Sequence, residues 1–206
     1  MLRTRQNSRT DRLAGVCAHR GVSLALAAAI AVTDHAVHQQ QLPFLPRALM
    51  DEPCHLATAM IVLGALARWR GCPPSSRFVW AMLSASVLID LDHLPLELGS
   101  GVLTAGTPRP YTHALWVLVL LTAAAAAARW RHEVSGSARA GIAAVIAAGA
   151  AWGVAAHFLR DVATAPIALW WPVSSASVQV PNWWYLAALL VLATLPAHRT
   201  APTIRA

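Results

Sequence analysis

RFVWAMLSASVLIDLDHLP, residues 77–95, opens on an arginine, stays apolar for more than three helical turns and closes on Asp90, Asp92 and His93. A helix on a soluble core spreads its polar residues along one stripe. Here they gather at the two ends, as in a helix whose middle lies in hydrocarbon and whose ends reach the wet faces of a bilayer. The same design recurs along the chain. Apolar stretches at 21–33, 55–67, 78–91, 113–128, 140–159 and 183–195 are separated by short polar connectors. Hydrophobic residues make up 57% of the 206 and charged residues only 12%, about half the share usual in soluble domains, which argues against a soluble fold. Nothing alternates with period two, and the alanine run TAAAAAAR at 122–129 favours helix, so a closed β-barrel is disfavoured. The expected fold is an all-α, polytopic transmembrane bundle of about five to six helices.

Most of these stretches are shorter than the roughly 20 residues needed to span. They reach that length only if their polar-tipped outer turns are helical as well. The organisation expected is a basic tail with an extra first membrane helix at 1–46, a helical domain at 47–198 and a short polar tail at 199–206. The arginine-rich start followed by GVSLALAAAIAVT also fits a secretory signal. Asp34, however, occupies the place before Ala36 where a cleavage site needs a small residue, so a retained helix is expected.

The net charge of +7 does not point to nucleic acid, because the arginines are scattered between apolar blocks and the chain has no lysine. They set topology instead. With the N-terminus in the cytoplasm, 13 of the 16 arginines fall inside and only Arg47, Arg109 and Arg160 outside, which fixes both termini in the cytoplasm. Trp69, Trp80 and Trp130 then flank the inner ends, and Trp170, Trp171, Trp183 and Trp184 form an outer belt. Cys17, Cys54 and Cys72 form no CxxC pair and are odd in number, so buried or loop thiols are expected.

The histidines and acids sort the other way. Arg68 to His55 is 13 residues, Arg77 to Asp92 is 15, Arg129 to His113 is 16 and Arg139 to His157 is 18. At 1.5 Å per residue these are rises of roughly 20–27 Å, so four segments present His or Asp at similar height below the outer face. Each ionisable group at such depth costs about 2–3 kcal/mol unless a cavity, a partner or a metal compensates it. His157 and Asp161 are four apart, Asp90 and His93 three apart, and each pair shares a helical face. Imidazole and carboxylate together form the ligand set of zinc and related divalent ions. Plainer roles stand beside this one: His55 as a helix cap after Pro53, Asp90 and Asp92 paired with Arg109 or Arg160, Thr112 as a cap. Pro95 is expected to stop the helix that carries the Asp90–His93 cluster. Asp34, His35 and His38 read as interfacial polar residues outside the site.

LIDLDHLP at 88–95, RPYTHALW at 109–116 and HFLRDVATAPIALWWPVS at 157–174 resemble three signatures of the bacterial membrane-bound metal-dependent hydrolases, the YdjM-like inner-membrane family linked to LexA regulation. The resemblance covers roughly residues 51–174. It implies a leading histidine at His55, a cluster of Asp90, Asp92 and His93, a helix start with Arg109, Thr112 and His113, and a last motif with His157, Asp161, Thr164 and Pro172. Ile89, Pro108 and Pro110 depart from the pattern. Pro108 stands in place of a histidine, which leaves the ligand count open.

The resulting expectation is a metal-dependent hydrolase of the bacterial inner membrane, acting near the outer leaflet on a lipid phosphoester or other ester. His55, Asp92, His113, His157 and Asp161 are the expected ligands of one or two divalent ions, with zinc expected. Asp90 or His93 is the expected acid/base, and Arg109 the expected contact for an anionic substrate. Membrane lipids are the expected partners. The alternative from another class is a non-enzymatic protein that binds or transports metal ions, which requires polar residues along a path to the inner side. The inner halves are almost entirely Ala, Leu and Val.

Overall fold

The computed structural model describes residues 8–40, 44–104, 107 and 109–197. The order is α1 (Ser8–Ala18), α2 (Arg20–Gln40), α3 (Phe44–Arg70), α4 (Ser76–Leu88), a 3₁₀ turn (Ile89–His93), α5 (Leu94–Glu97), a second 3₁₀ turn (Gly101–Leu103), α6 (Leu115–Ser135), α7 (Ala138–Thr164) and α8 (Asn182–Thr194). Among the described residues the only β pairing is one antiparallel bridge between Ile167 and Val178, so the all-helical expectation holds. Arg20–Val37, Pro46–Arg70, Ser76–Glu97 and Ala138–Thr164 are long and apolar enough to cross a membrane, and α8 is a shorter apolar helix. Length comes from the polar end turns. α3 starts 11 residues ahead of His55, and α7 continues past His157 and Asp161 to Thr164.

Three local expectations change. Pro53 lies inside α3, so His55 is mid-helix and caps nothing. A missing N–H at this depth is tolerable where neighbouring helices and side chains reorganise the freed groups. Pro95 does not end a helix either: α-helical bonding already gives way to the 3₁₀ turn at Ile89, and Pro95 sits in the first turn of α5, where its absent N–H costs least. His113 precedes α6 in a turn closed by its own N–H to the Pro110 carbonyl (2.9 Å). Extended Ala114 is the N-cap, and Thr112 donates its hydroxyl to Asp92 in place of capping.

α4 and α7 run parallel with their backbones almost touching. A Cβ added at Gly149 would lie 2.6 Å from the Phe78 carbonyl oxygen, and one at Gly153 only 2.2 Å from that of Met82. Opposite them stand Ala81 and Ala85, so both faces are of small residues, the pattern by which membrane helices approach closely. The register advances by four on each helix, pairing 149 with 78 and 153 with 82. The next step brings His157 to Ser86.

The opposite end of the bundle collects the arginines. α1 ends against α3 at Gly64, where a Cβ would strike the Cys17 carbonyl oxygen at 2.0 Å. One turn on, buried Arg68 donates to the carbonyls of Ala18 (3.1 Å) and Leu192, tying down the ends of α1 and α8. Arg20 reaches the Leu195 carbonyl, and His132 donates to that of Ser137. Arg3, Arg5, Arg199 and Arg205 lie outside the described residues, as does the 199–206 tail. Trp69, Trp80 and Trp130 are exposed near this end, Trp170, Trp183 and Trp184 near the other. Cys17 and Cys54 are buried and Cys72 exposed, all as free thiols.

Two apolar clusters fill the interior. Val62, Leu63, Val79, Met82 and Ala156 join α3, α4 and α7; Ala27, Ile30, Ile61, Ala163, Tyr185 and Leu189 join α2, α3, α7 and α8. The first helix of the chain's apolar series is therefore an integral wall of the bundle. Gly153→Val is expected to lower stability by about 1–3 kcal/mol through overpacking. Gly15→Ala, which meets nothing within 4 Å, is expected to be neutral or to stabilise by up to about 1 kcal/mol. Thermal unfolding in detergent checks both; equal melting temperatures for Gly153→Val and the parent would show that the close approach is not required.

Candidate metal centre

His157 has a defined orientation because Ser86 supplies a main-chain carbonyl 2.9 Å from its Nδ1. A carbonyl only accepts, so Nδ1 carries a proton, and in the neutral ring the lone pair is then at Nε2. Nε2 faces Asp161 Oδ2 at 3.0 Å, His113 Nε2 at 3.2 Å and Asp90 Oδ1 at 3.5 Å. Carboxylates also only accept. A cation or a shared proton has to sit between them.

The remaining expected residues converge on the same place. His55 stacks on His157 with ring centroids 3.9 Å apart, and its Nε2 lies 3.6 Å from Asp161 Oδ1 and 3.9 Å from Asp90 Oδ2. His113 Nε2 is 3.1 Å from Asp90 Oδ1, and its Nδ1 is 3.2 Å from Asp92 Oδ2. The 3₁₀ turn, with three residues per turn, eclipses Asp90 and His93 and sets His93 Nδ1 3.3 Å from Asp90 and 3.1 Å from Asp92. Arg109 Nη1 lies 2.9 Å from Asp161 Oδ1. All eight residues singled out in the sequence thus meet in one cluster.

The donor set suits a divalent ion. Ligand atoms about 2.0–2.2 Å from a tetrahedral ion stand roughly 3.3–3.6 Å from one another, and most separations above lie in or just below that interval. Two sets of ligand atoms each fit within 4.8 Å: Asp90, Asp92, His93 and His113, and His55, His157 and Asp161. Asp90 reaches toward both sets, a more central position than the sequence suggested. Neither buried ring nitrogen of His55 makes a hydrogen bond, and Asp92 Oδ1, His93 Nδ1, His113 Nδ1 and Asp161 Oδ1 meet their charged neighbours without hydrogen-bond geometry. Groups so buried ordinarily have partners. Burial divides the cluster: His55, His113, His157 and Asp161 are closed off, while Asp90, Asp92, His93 and Arg109 keep 12–18% of their side chains exposed and form its open side.

A second ionic layer flanks this one. Buried Arg160 pairs with Asp34 of α2 (2.7 Å) and donates through Nε to Asp51 of α3 (2.8 Å). Asp51 turns its other oxygen toward His55 Nε2, 3.6 Å away, and the Arg160 guanidinium lies 5.8 Å from the Tyr185 ring centre. Neither Arg109 nor Arg160 pairs with Asp90 or Asp92: their carboxylate partners are Asp161 and the Asp34–Asp51 couple. Asp34, assigned to the interface, is thereby a structural partner of the site. Asp51 escaped selection although it stands four residues before His55, the spacing that singled out His157 and Asp161. Reading Pro53 as the helix start hid that spacing.

The other motif positions frame the cluster. Thr164 closes α7, and Pro172 lies in the connection to α8, which is pinned by Leu115 N–H to the Leu169 carbonyl and by Val180 N–H to that of Val162. Tyr111 stacks on Trp171 at 4.5 Å, packing the segment that carries His113 against that connection. Pro108 lies outside the described residues.

No curated protein and no solved structure matches the chain. The model of the YdjM inner membrane protein family matches residues 50–205, a span that takes in α3 from its second turn, the whole polar cluster and α8 while leaving out α1 and α2. With three quarters of its length covered, the chain belongs to the YdjM family of inner membrane proteins.

Proposed function

We propose that this chain is a metal-dependent hydrolase of the inner membrane, inserted as a multi-pass bundle with its His/Asp cluster toward the outer face. The observation that carries the reading is the His157 arrangement: one nitrogen spent on the Ser86 carbonyl, the other aimed into a buried group of acceptors. Stacked on it, His55 is buried with no hydrogen bond at either ring nitrogen, where a histidine kept for packing alone would have partners. His55, His113, His157, Asp161 and Asp90 would hold the metal, with Asp92 at the edge of the cluster. Zinc suits such a mixed nitrogen and oxygen set. A divalent ion bound there supplies Lewis acidity, lowering the pKa of a water and polarising an ester or phosphoester oxygen.

The chain's own residues do the rest. His93, on the open side and flanked by Asp90 and Asp92, is placed to take a proton at one ring nitrogen and return it to a leaving group. Arg109, beside Asp161 and partly exposed, is placed to bind negative charge on the substrate. Thr112 holds Asp92 in position through its hydroxyl. The orientation rests on the arginine excess at the opposite end. Transport of the metal is the weaker reading, because Val62, Leu63, Val79 and Met82 fill the interior next to the polar layer and supply no ligands for a path.

Purified in detergent under zinc-replete conditions, the parent is expected to carry one or two zinc ions per chain. His157→Ala and Asp90→Asn should lose most of this metal, while Glu97→Gln, an exposed acid, should retain it. Full occupancy in both site variants would overturn the metal centre. With a hydrolysable ester or phosphoester in hand, His93→Ala is expected to keep its metal and lose about 10²–10⁴-fold in kcat. Arg109→Gln should act mainly on KM for an anionic substrate. A His93→Ala enzyme at full kcat would remove the proton-handling role.

A further inference from the structure

Glu52, an acid of α3, carries a buried Oε2 that makes no hydrogen bond. It stands three residues before His55, so the two side chains leave the same face of the helix. In helical bundles that hold paired metal ions, such a Glu-x-x-His step sends a carboxylate and an imidazole from one helix to one centre. The Glu52 carboxyl meets the carboxyl of Asp90, brought from the 3₁₀ turn after α4, and lies within electrostatic reach of His157. Two carboxylates in contact inside an apolar bundle repel each other unless a cation or a proton lies between them.

The place where they meet is the middle of the cluster. Asp90 Oδ1 lies 3.1 Å from His113 Nε2 and 3.5 Å from His157 Nε2, and its Oδ2 lies 3.9 Å from His55 Nε2. His113 belongs to one of the two sets of ligand atoms, His55 and His157 to the other. Glu52 and Asp90 are therefore the acids that stand where the two sets adjoin. Acids also gather on surfaces that hold no ion, and it is His55 that marks this group as different. With 1% of its side chain exposed, it turns an Nε2 that makes no hydrogen bond toward Asp51, Asp90 and Asp161. A buried ring nitrogen ordinarily has a partner.

We infer that the cluster is a two-metal centre whose ions share the carboxylates of Glu52 and Asp90. His55, His157 and Asp161 complete one side, and Asp92 and His113 the other. His93, beside that second side, keeps its ring free to handle protons. This deepens the hydrolase reading and rests on its metal: it fixes the number of ions and adds a ligand from α3.

Native mass spectrometry of the full chain, released from detergent after loading with zinc alone, counts ions per chain and tests this. The parent is expected to carry two ions, and Glu52→Gln, which keeps the size of the side chain and removes its charge, to carry one. Glu97→Gln, at an exposed acid, should still carry two. Thermal unfolding of chelator-stripped samples separates a ligand from a structural contact. Stripped Glu52→Gln is expected to unfold at or above the temperature of the stripped parent, and zinc should raise that temperature further in the parent than in the variant. A stripped variant that unfolds below the stripped parent would make Glu52 a packing contact. Retention of both ions by Glu52→Gln, loss of both, or a parent that saturates at one ion overturns the shared-carboxylate arrangement and leaves the hydrolase reading standing. A parent that takes no zinc overturns the hydrolase reading itself.

Discussion

The contact between the backbones of α4 and α7 governs the rest of the molecule. Two glycines four residues apart let one helix lie on the carbonyls of the other, and the shared step of four carries the register into the polar layer. Ser86 and His157 meet because Gly149 and Gly153 meet Phe78 and Met82 first. Asp161 follows one turn later on α7, and Asp90 follows one turn after Ser86, so the two carboxylates that flank the histidine come from the same register. A side chain at either glycine would separate the helices by more than a hydrogen bond can stretch.

Around that axis the protein arranges charge in two tiers. The inner tier is a group of imidazoles and carboxylates rich in acceptors; the outer tier is Arg160 with Asp34 and Asp51. Asp51 belongs to both, one oxygen on the arginine and the other toward His55. An arginine buried without counter-charge would cost several kcal/mol, and here two carboxylates from two helices surround it. The same pairing fastens α2, whose apolar face already packs on Ile61, Tyr185 and Leu189.

Much of this was legible in the sequence for a simple reason. Polar residues in a chain this apolar are expensive, so their positions along each stretch report depth, and depth brought His55, the DLDH cluster, His113 and the His157–Asp161 pair to one level. What stayed hidden depends on relations between helices. Prolines were misleading, because Pro53 and Pro95 read as boundaries while the bundle accommodates both inside helical turns. The partners of Arg109 and Arg160 depended on which helices are neighbours, which no spacing within one segment discloses. Gly149 and Gly153 are plain in the sequence as small residues, yet nothing in it says that carbonyls lie beneath them.

The Ser86 carbonyl has one more implication. As a main-chain acceptor it survives almost any substitution at position 86, so the protonation pattern of His157 is insulated from side-chain drift there. It is sensitive to distance instead. Were α7 to move outward by an ångström or so, the Nδ1 proton would lose its acceptor and the imidazole would be free to carry it at Nε2, replacing the lone pair that the proposed metal would need with a donor. Helix spacing thus acts as a mechanical control on acid–base chemistry: by keeping two backbones in contact the fold holds a proton on Nδ1, the arrangement that the proposed metal centre requires.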